Sequence, residues 1–322
     1  MKKVSLTGIK PTGMPHIGNY FGAIKPAIDL SQSSGQAFYF MADWHSLTTV
    51  KDPKVLGTFV REVACTWLAC GLDTDKVVFY RQSDIQEVFE LCTILTNVTP
   101  KGLMNRAHAY KAMIQDGKED EVNIGLFIYP ILQAADIMIM DATHVPVGQD
   151  QKQHIEIAAG IARSFNAIYG DVLTVTQPVI KEDVAVVPGL DGRKMSKSYN
   201  NHIPLFCSEA DLKKCIMRIT TDSSLPTDPK PLDHPIFQMY KLLATTEEVK
   251  DMKKKFEKGI GWGDAKAELF RVANRELTPM RDKYNHLIEN YATVETLLAK
   301  GATKAREVAK KTLDRVKAAI CK

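Results

Sequence analysis

The 322-residue chain lacks any apolar run long enough to cross a bilayer, and Met1-Lys2-Lys3-Val4-Ser5-Leu6 lacks the apolar core of a signal peptide. A membrane partner is therefore not expected, and a cytoplasmic, water-soluble protein is. Cysteine is sparse: Cys65, Cys70, Cys92, Cys207, Cys215 and Cys321 form no C-x-x-C pair and no Cys/His grouping at zinc spacing. That argues against a structural metal site or a disulfide framework and for reduced thiols. Internal repeats and low-complexity tracts are also missing. Charge is not strongly of one sign either. With 42 Lys and Arg against 38 Asp and Glu, the net charge of +4 permits a polyanionic partner without demanding one.

What the chain has is strand–helix alternation through its first two-thirds. Val4 to Ile9, Ala37 to Ala42, Val77 to Tyr80 and His144 to Val147 read as short strands. Helical patterns cover Asn19 to Ser31, Pro53 to Cys70, Ile85 to Val98, a stretch after Lys101, Ile124 to Met140 and Asp150 to Tyr169. The fold class that follows is α/β, a doubly wound parallel sheet with ligands at the carboxyl ends of its strands. After Ser208 the pattern is all helical, broken at Pro226 to Pro235 and at Gly259 to Gly263. A last helix is expected from about Thr303 to Ile320. One stripe of it is small or apolar (Ala305, Val308, Ala309, Thr312, Val316, Ile320), and Lys304, Arg306, Lys310, Lys311, Arg315 and Lys317 crowd the rest. That basic face reads either as solvated surface or as a contact for nucleic-acid phosphates.

Two elements suit the halves of a nucleotide phosphate site. The first, Pro11-Thr12-Gly13-Met14-Pro15-His16-Ile17-Gly18-Asn19, passes from a strand into a helix start, where backbone N–H groups favour anionic oxygens. His16 and Asn19 could each donate to an ATP oxygen. The second, Asp191-Gly192-Arg193-Lys194-Met195-Ser196-Lys197-Ser198, sets two lysines around a Met-Ser pair, supplying cations for charge that develops in phosphoryl chemistry. Gly189 and Gly192 would let this loop swing closed.

A third segment, Tyr129 to Met140, carries a costly carboxylate, Asp136, in an otherwise apolar helix. Tyr129, Gln133 and Asp136 share a face, as a pocket reading one polar group of an apolar ligand would require. The alternative is a capping or salt-bridged Asp. A fourth, Val145 to His154, repeats the strand–Gly–helix logic, with Asp150 either on a ribose hydroxyl or substrate ammonium or serving as a plain N-cap.

The first two elements resemble the HIGH and KMSKS signatures of class I aminoacyl-tRNA synthetases. Over nearly its whole length the chain resembles the bacterial tryptophanyl-tRNA synthetases. The resemblance rests on Thr7-Gly8-Ile9, Pro11-Thr12-Gly13, Ile17-Gly18-Asn19-Tyr20, Tyr129 with Asp136, Val145 to His154 and Lys194 to Ser198. Thr221-Asp222-Ser223 and Gly301-Ala302-Thr303-Lys304-Ala305 extend it. It implies a Rossmann-type catalytic domain at 1–200 and, at 201–322, a linker and helical anticodon-binding domain whose last helix packs back on the catalytic part. It also implies a homodimer, with tRNA(Trp), L-tryptophan and ATP as partners, magnesium carried in with the ATP phosphates, no resident metal and no DNA.

By matching position, Asp136 would accept the indole N–H, Tyr129 and Gln151 would hold the ammonium, and Gln133 would lie against the indole. Leu6, Gly8, Val145 and Val147 would line the pocket, with His45 near the reacting groups. Lys10, Pro11, Thr12, Gly18, Asn19, Gly148, Gln149, Asp150 and Val186 would touch ATP. Lys194, Met195, Ser196, Lys197 and Ser198 would close over its phosphates, with Lys194, Lys197, Ser196 and His16 as the catalytic set.

Lys10 and Gln133 depart from the family, which commonly carries Gln and Met there. Tyr129, Gln133 and Asp136 also resemble the tyrosine-binding helix of the sister tyrosyl enzymes. A tyrosine enzyme, a tRNA-independent adenylyltransferase and a catalytically silent RNA-binding paralogue thus stand as rival readings.

Overall fold

The computed structural model describes residues 3–31, 35–117, 120, 122–180 and 186–321. Five parallel strands form one sheet: β1 (Val4–Ile9), β2 (Gln36–Met41), β3 (Val77–Arg81), β4 (His144–Val147) and β5 (Gln177–Ile180), in the order β3-β2-β1-β4-β5. The chain steps outward from β1 through β2 to β3, then returns to the other side of β1 for β4. The order therefore reverses between β1 and β4, where a doubly wound sheet opens a crevice at its strand ends.

Helices fill the connections. α1 (Ile17–Asn19) runs through a π turn at Tyr20–Ile24 into α2 (Lys25–Ser31). Then come α3 (Asp43–Ser46), α4 (Pro53–Ala69), α5 (Gln86–Thr96), α6 (Lys101–Met104), α7 (His108–Gln115), α8 (Ile124–Ile139) and α9 (Lys152–Tyr169). Past the sheet lie α10 (Glu209–Met217), α11 (Pro235–Leu243), α12 (Thr246–Lys258), α13 (Trp262–Glu289) and α14 (Tyr291–Ile320). None of the described helices is long and apolar enough to cross a membrane.

Strand β2 explains why the sheet is sandwiched. Ala37, Tyr39 and Met41 join the core shared with α4 and α10–α13, while Phe38 and Phe40 join the core under α5, α8, α9 and α14. A strand buried on both faces reads as a continuous apolar run, which is what a parallel sheet requires.

Three elements differ from the sequence reading. β5 has no counterpart among the expected strands: it is four residues long, contains Pro178 and forms one edge of the sheet beside β4. The stretch after Lys101 is two helices, with Asn105 to Ala107 between them. The last helix begins at Tyr291, because Gly301 is not a breaker. A Cβ built at Gly301 would lie 1.8 Å from the Phe79 carbonyl oxygen, so glycine lets α14 press directly onto the edge strand β3. The helix thereby covers an edge that would otherwise invite pairing with other chains. Gly301→Ala must push the helix off that backbone. We expect a loss of about 2–3 kcal/mol in chemical denaturation, in the range of overpacked cores; wild-type stability would show that α14 shifts freely.

The basic face of α14 proves to be neither of its two expected surfaces at three positions. Arg306 donates to Glu87, Lys317 pairs with Glu90 on the same helix α5, and Arg315 reaches Asp141 at 2.7 Å and the Val172 carbonyl at 3.0 Å. These cations clamp α14 to the sheet-bearing part of the chain. Lys304, Lys310 and Lys311 remain on the exposed side.

Candidate active site

The strand ends of β1 and β4, with α3 and α8, enclose a cavity of about 520 Å³. Ten of the expected residues line it together: Leu6, Gly8, Lys10, His45, Tyr129, Gln133, Asp136, Val145, Val147 and Gln151. The sequence reading missed Phe40, Ala42, Thr48, Thr49, Leu126, Ile137 and Pro146 on the same wall.

Asp136 forms the floor and is almost fully buried, with 3% of its surface exposed. Burial raises its pKa, opposed by hydrogen bonds from His45 and Gln82. His45 Nε2 lies 2.9 Å from Oδ2, and the Gln82 amide donates to both carboxylate oxygens at 2.9 Å. Asp136 is not a helix cap: it is a hydrogen-bonded carboxylate facing a cavity, and its His45 contact is an ion pair whenever the imidazole is protonated. His45 sits on this floor, beside Asp136. On the same lining the Tyr129 hydroxyl is bonded to His154 Nε2, and the Lys10 ammonium donates to Thr48 Oγ1 at 3.0 Å. Burial pulls the Lys10 pKa down.

The phosphate-suited elements meet next door. His16 caps α1: its Nδ1 accepts from the Asn19 N–H at 3.2 Å, and Asn19 Oδ1 accepts from the His16 N–H at 3.0 Å. Burial, then the neighbouring His202 and Lys197, bring the His16 pKa down to about 4. The ring is therefore neutral at pH 7. With Nδ1 accepting, its proton is on Nε2, which makes His16 an uncharged donor.

Met195 is buried against this cap, its sulfur 3.3 Å from the Gly18 nitrogen, and Lys197 Nζ donates to the Thr12 carbonyl at 2.9 Å. The lysine loop thus lies against the first glycine-rich turn. Asn201, which the sequence reading overlooked, holds it there: its side chain accepts from the Ser196 N–H at 2.8 Å and donates to Asp191 at 2.7 Å and to the Lys194 carbonyl at 3.2 Å. A Cβ at Gly189 would come within 2.3 Å of Asn201 Nδ2, so this glycine serves close approach as well as any hinge.

Lys194 and Ser198 are exposed, and Ser198 shares a hydrogen bond with Ser196. Pro11 accepts from Ser46 Oγ through its carbonyl. Gly148 and Gln149 enter the turn Gln149–Gln151 that follows β4, next to the cavity. Val186 is 68% exposed and lies outside the cavity lining. The Asp150 side chain falls outside the described part of the structure.

An amino-acid-sized cavity adjoining a neutral donor, a helix start and a docked lysine loop is what the adenylating synthetases combine. Residues 2–278 match the family model described as class I tRNA synthetases for W and Y. The chain belongs to this class I tRNA synthetase family. Within it, the tryptophan–tRNA ligase of Bordetella parapertussis is 50% identical over 314 residues, covering 94% of this chain and 70% of that one. The tryptophanyl-tRNA synthetase of Campylobacter jejuni, solved with ADP and tryptophan, superposes with a TM-score of 0.93 at 42% identity, covering 99% of this chain and all of its own. The tyrosyl-tRNA synthetase of Aeropyrum pernix reaches a TM-score of 0.64 at 18% identity, covering 93% of this chain and 90% of its own, and shares the fold alone. Among these synthetases the likeness is to the tryptophan branch.

Proposed function

We propose that this synthetase activates L-tryptophan with ATP and passes it to the 3′ end of tRNA(Trp), working in the cytoplasm as a homodimer. The observation that carries the reading is the buried Asp136 carboxylate on the floor of a mainly apolar cavity, beside the docked Lys194 to Ser198 loop. An indole fills apolar space and offers one N–H, which an ionised acceptor at the floor receives.

Tryptophan lies with its ring between Leu6, Gln133 and the valines of β4, its ammonium toward Tyr129 and Gln151. Its carboxylate oxygen attacks the α-phosphorus of ATP in line. The new C–O–P linkage forms as the bond to the bridging oxygen breaks, and the departing pyrophosphate takes that electron pair. Such transfer depends on positioning and charge stabilisation. Lys194 and Lys197 receive the pyrophosphate charge, and His16 Nε2 donates to a phosphate oxygen without adding a charge. Lys10, Pro11, Thr12, Gly18, Asn19 and the Gly148 to Asp150 turn bound the nucleotide, whose phosphates bring magnesium with them. A terminal ribose hydroxyl of tRNA then attacks the acyl carbon of the adenylate; the ester bond forms as the acyl–phosphate bond breaks, AMP leaves with that electron pair, and the hydroxyl proton is released.

Residues 1–200 supply this chemistry, and 201–322 form a linker and a helical domain for the anticodon, with α14 packed back on the catalytic part. The homodimer reading is supported by Trp44 and Leu47, 45% and 43% exposed, at the rim of a second cavity whose wall includes Phe89, Ile128 and Leu132. Sedimentation at twice the chain mass supports it, and a monomer at micromolar concentration overturns it.

Pyrophosphate exchange run with each of the twenty amino acids tests the activity. Tryptophan alone should support exchange. Tyrosine-dependent exchange would reassign the substrate, and no exchange would leave a silent RNA-binding protein. Charging of tRNA separates the synthetase from a tRNA-independent adenylyltransferase. For the tRNA surface, the free cations of α14 are the ones to test. Replacing Lys310 and Lys311 with Gln should weaken tRNA binding and lower the slope of log K against log salt by roughly 0.7–0.9 per lost phosphate contact, with adenylate formation intact. Arg315 is left in place because it clamps α14 to Asp141. An unchanged slope assigns this face to solvent.

A further inference from the structure

Gln82 begins the short 3-10 turn Gln82–Asp84 directly after β3 and is completely buried. Its side-chain oxygen accepts the Trp44 N–H at 3.2 Å, and the Asp43 carboxylate, by accepting from Trp44 and Ser83, ties α3 to the same turn. With its oxygen taken, the amide can turn only its NH2 toward Asp136, and that NH2 reaches both carboxylate oxygens.

We propose that Gln82 is a positioning residue that holds Asp136 as an ionised acceptor, and that this amide sets the preference for an amino acid whose ring edge carries an N–H over an isostere without one. The inference rests on the tryptophan reading above. An amide NH2 can donate but not accept, so a protonated Asp136 would set a hydroxyl against a donor. A carboxylate offers about four lone-pair sites. Gln82 takes one on each oxygen and His45 takes a second on Oδ2, which leaves the ring N–H a place on Oδ1.

Among the described groups facing Asp136, His45 shares this work with Gln82, and the others do not. Tyr80 on β3 and Cys92 on α5 are neutral: burial, with the Asp136 charge added, lifts the Tyr80 hydroxyl well above its usual range and the Cys92 thiol to about 11. His45 on α3 is the remaining titratable neighbour, and the Lys10 ammonium is engaged with Thr48. Burial raises the Asp136 pKa while His45 and Gln82 lower it. Removing the amide lets burial act less opposed, so protonation moves to higher pH. Because the ring N–H needs the ionised form, the Michaelis constant for tryptophan must rise on the acid side, and this limb must move toward neutrality in the variant.

The test is pyrophosphate exchange by the full chain with tryptophan and with β-(benzothien-3-yl)alanine, in which sulfur replaces the ring N–H, across pH 5.5–8.5 as a working range of about three units. Gln82→Met removes the donor. Gln82→Leu removes the donor with a different apolar shape, and it carries the test if Gln82→Met does not fold. Both should lose about ten- to a hundred-fold in the preference for tryptophan over the analogue, with KM for tryptophan rising more than kcat falls. The acid limb of KM should move toward neutrality. An unchanged preference and limb in a folded Gln82→Met or Gln82→Leu variant overturns the role. Failure of the tryptophan reading is separate: a wild type that activates tyrosine shows it, and the same comparison is then made with tyrosine against phenylalanine.

Discussion

Lys197→Ala should slow tryptophan activation by about 3–4 kcal/mol while leaving tryptophan affinity nearly unchanged, the scale of losing one preorganised donor to transition-state charge. The Lys197 ammonium rests on the Thr12 carbonyl at 2.9 Å, a neutral acceptor in the turn that would bound the nucleotide. That contact is weaker than one to a departing pyrophosphate, so the lysine can exchange partners as charge develops. Met195 and Asn201 hold the rest of the loop in place, so the alanine variant keeps the loop's frame and loses only the cation. Single-turnover adenylate formation read beside equilibrium tryptophan binding separates the two effects. A large rise in KM for ATP with a near-normal activation rate would instead make Lys197 a ground-state phosphate ligand.

How much of this was legible in the sequence depends on whether a residue's role is local. The strands β1 to β4 announce themselves as short apolar runs, and the His16 to Asn19 cap and the Lys194 to Ser198 loop are each contained in a few consecutive residues. Asp136 stands out because a carboxylate in an apolar helix demands a partner. The partner itself was not legible. Gln82 is 54 residues away and looks like any polar residue at a strand end, although a strand end facing the ligand crevice is where such a residue carries weight. Asn201 likewise becomes meaningful only when its side chain meets Ser196 and Asp191. Gly301 by itself disfavours a helix; the Phe79 carbonyl that requires it belongs to another element. The cations of α14 pose the same problem, since pairing with Glu87, Glu90 and Asp141 is set by docking and not by helical spacing.

Asp136→Asn should cost about 3–4 kcal/mol in kcat/KM for tryptophan, more than a lone hydrogen bond to a charged acceptor. Loss of that charged bond accounts for roughly 1.5–3 kcal/mol. The rest comes from the surroundings. The Gln82 NH2 donates to both oxygens of Asp136, so an amide at 136 must set its own NH2 against that donor at one of the two places. If the NH2 occupies the Oδ2 place, His45 can relieve it by accepting through Nε2, but half of the Gln82 contact is lost. If it occupies the Oδ1 place, it meets both Gln82 and the ring N–H, and the ligand is repelled. Each arrangement leaves a buried donor without an acceptor, a further cost of about 1–3 kcal/mol that the first arrangement partly escapes. The fold is not expected to suffer equally, because the same substitution removes a charge whose burial is itself unfavourable. Thermal unfolding should therefore stay close to wild type while tryptophan-dependent exchange falls several hundred-fold, on the order of 3–4 kcal/mol at 1.36 kcal/mol per decade. Exchange within tenfold of wild type would mean that the indole N–H finds its acceptor elsewhere, and Asp136 would then be a structural partner of His45 and Gln82 alone.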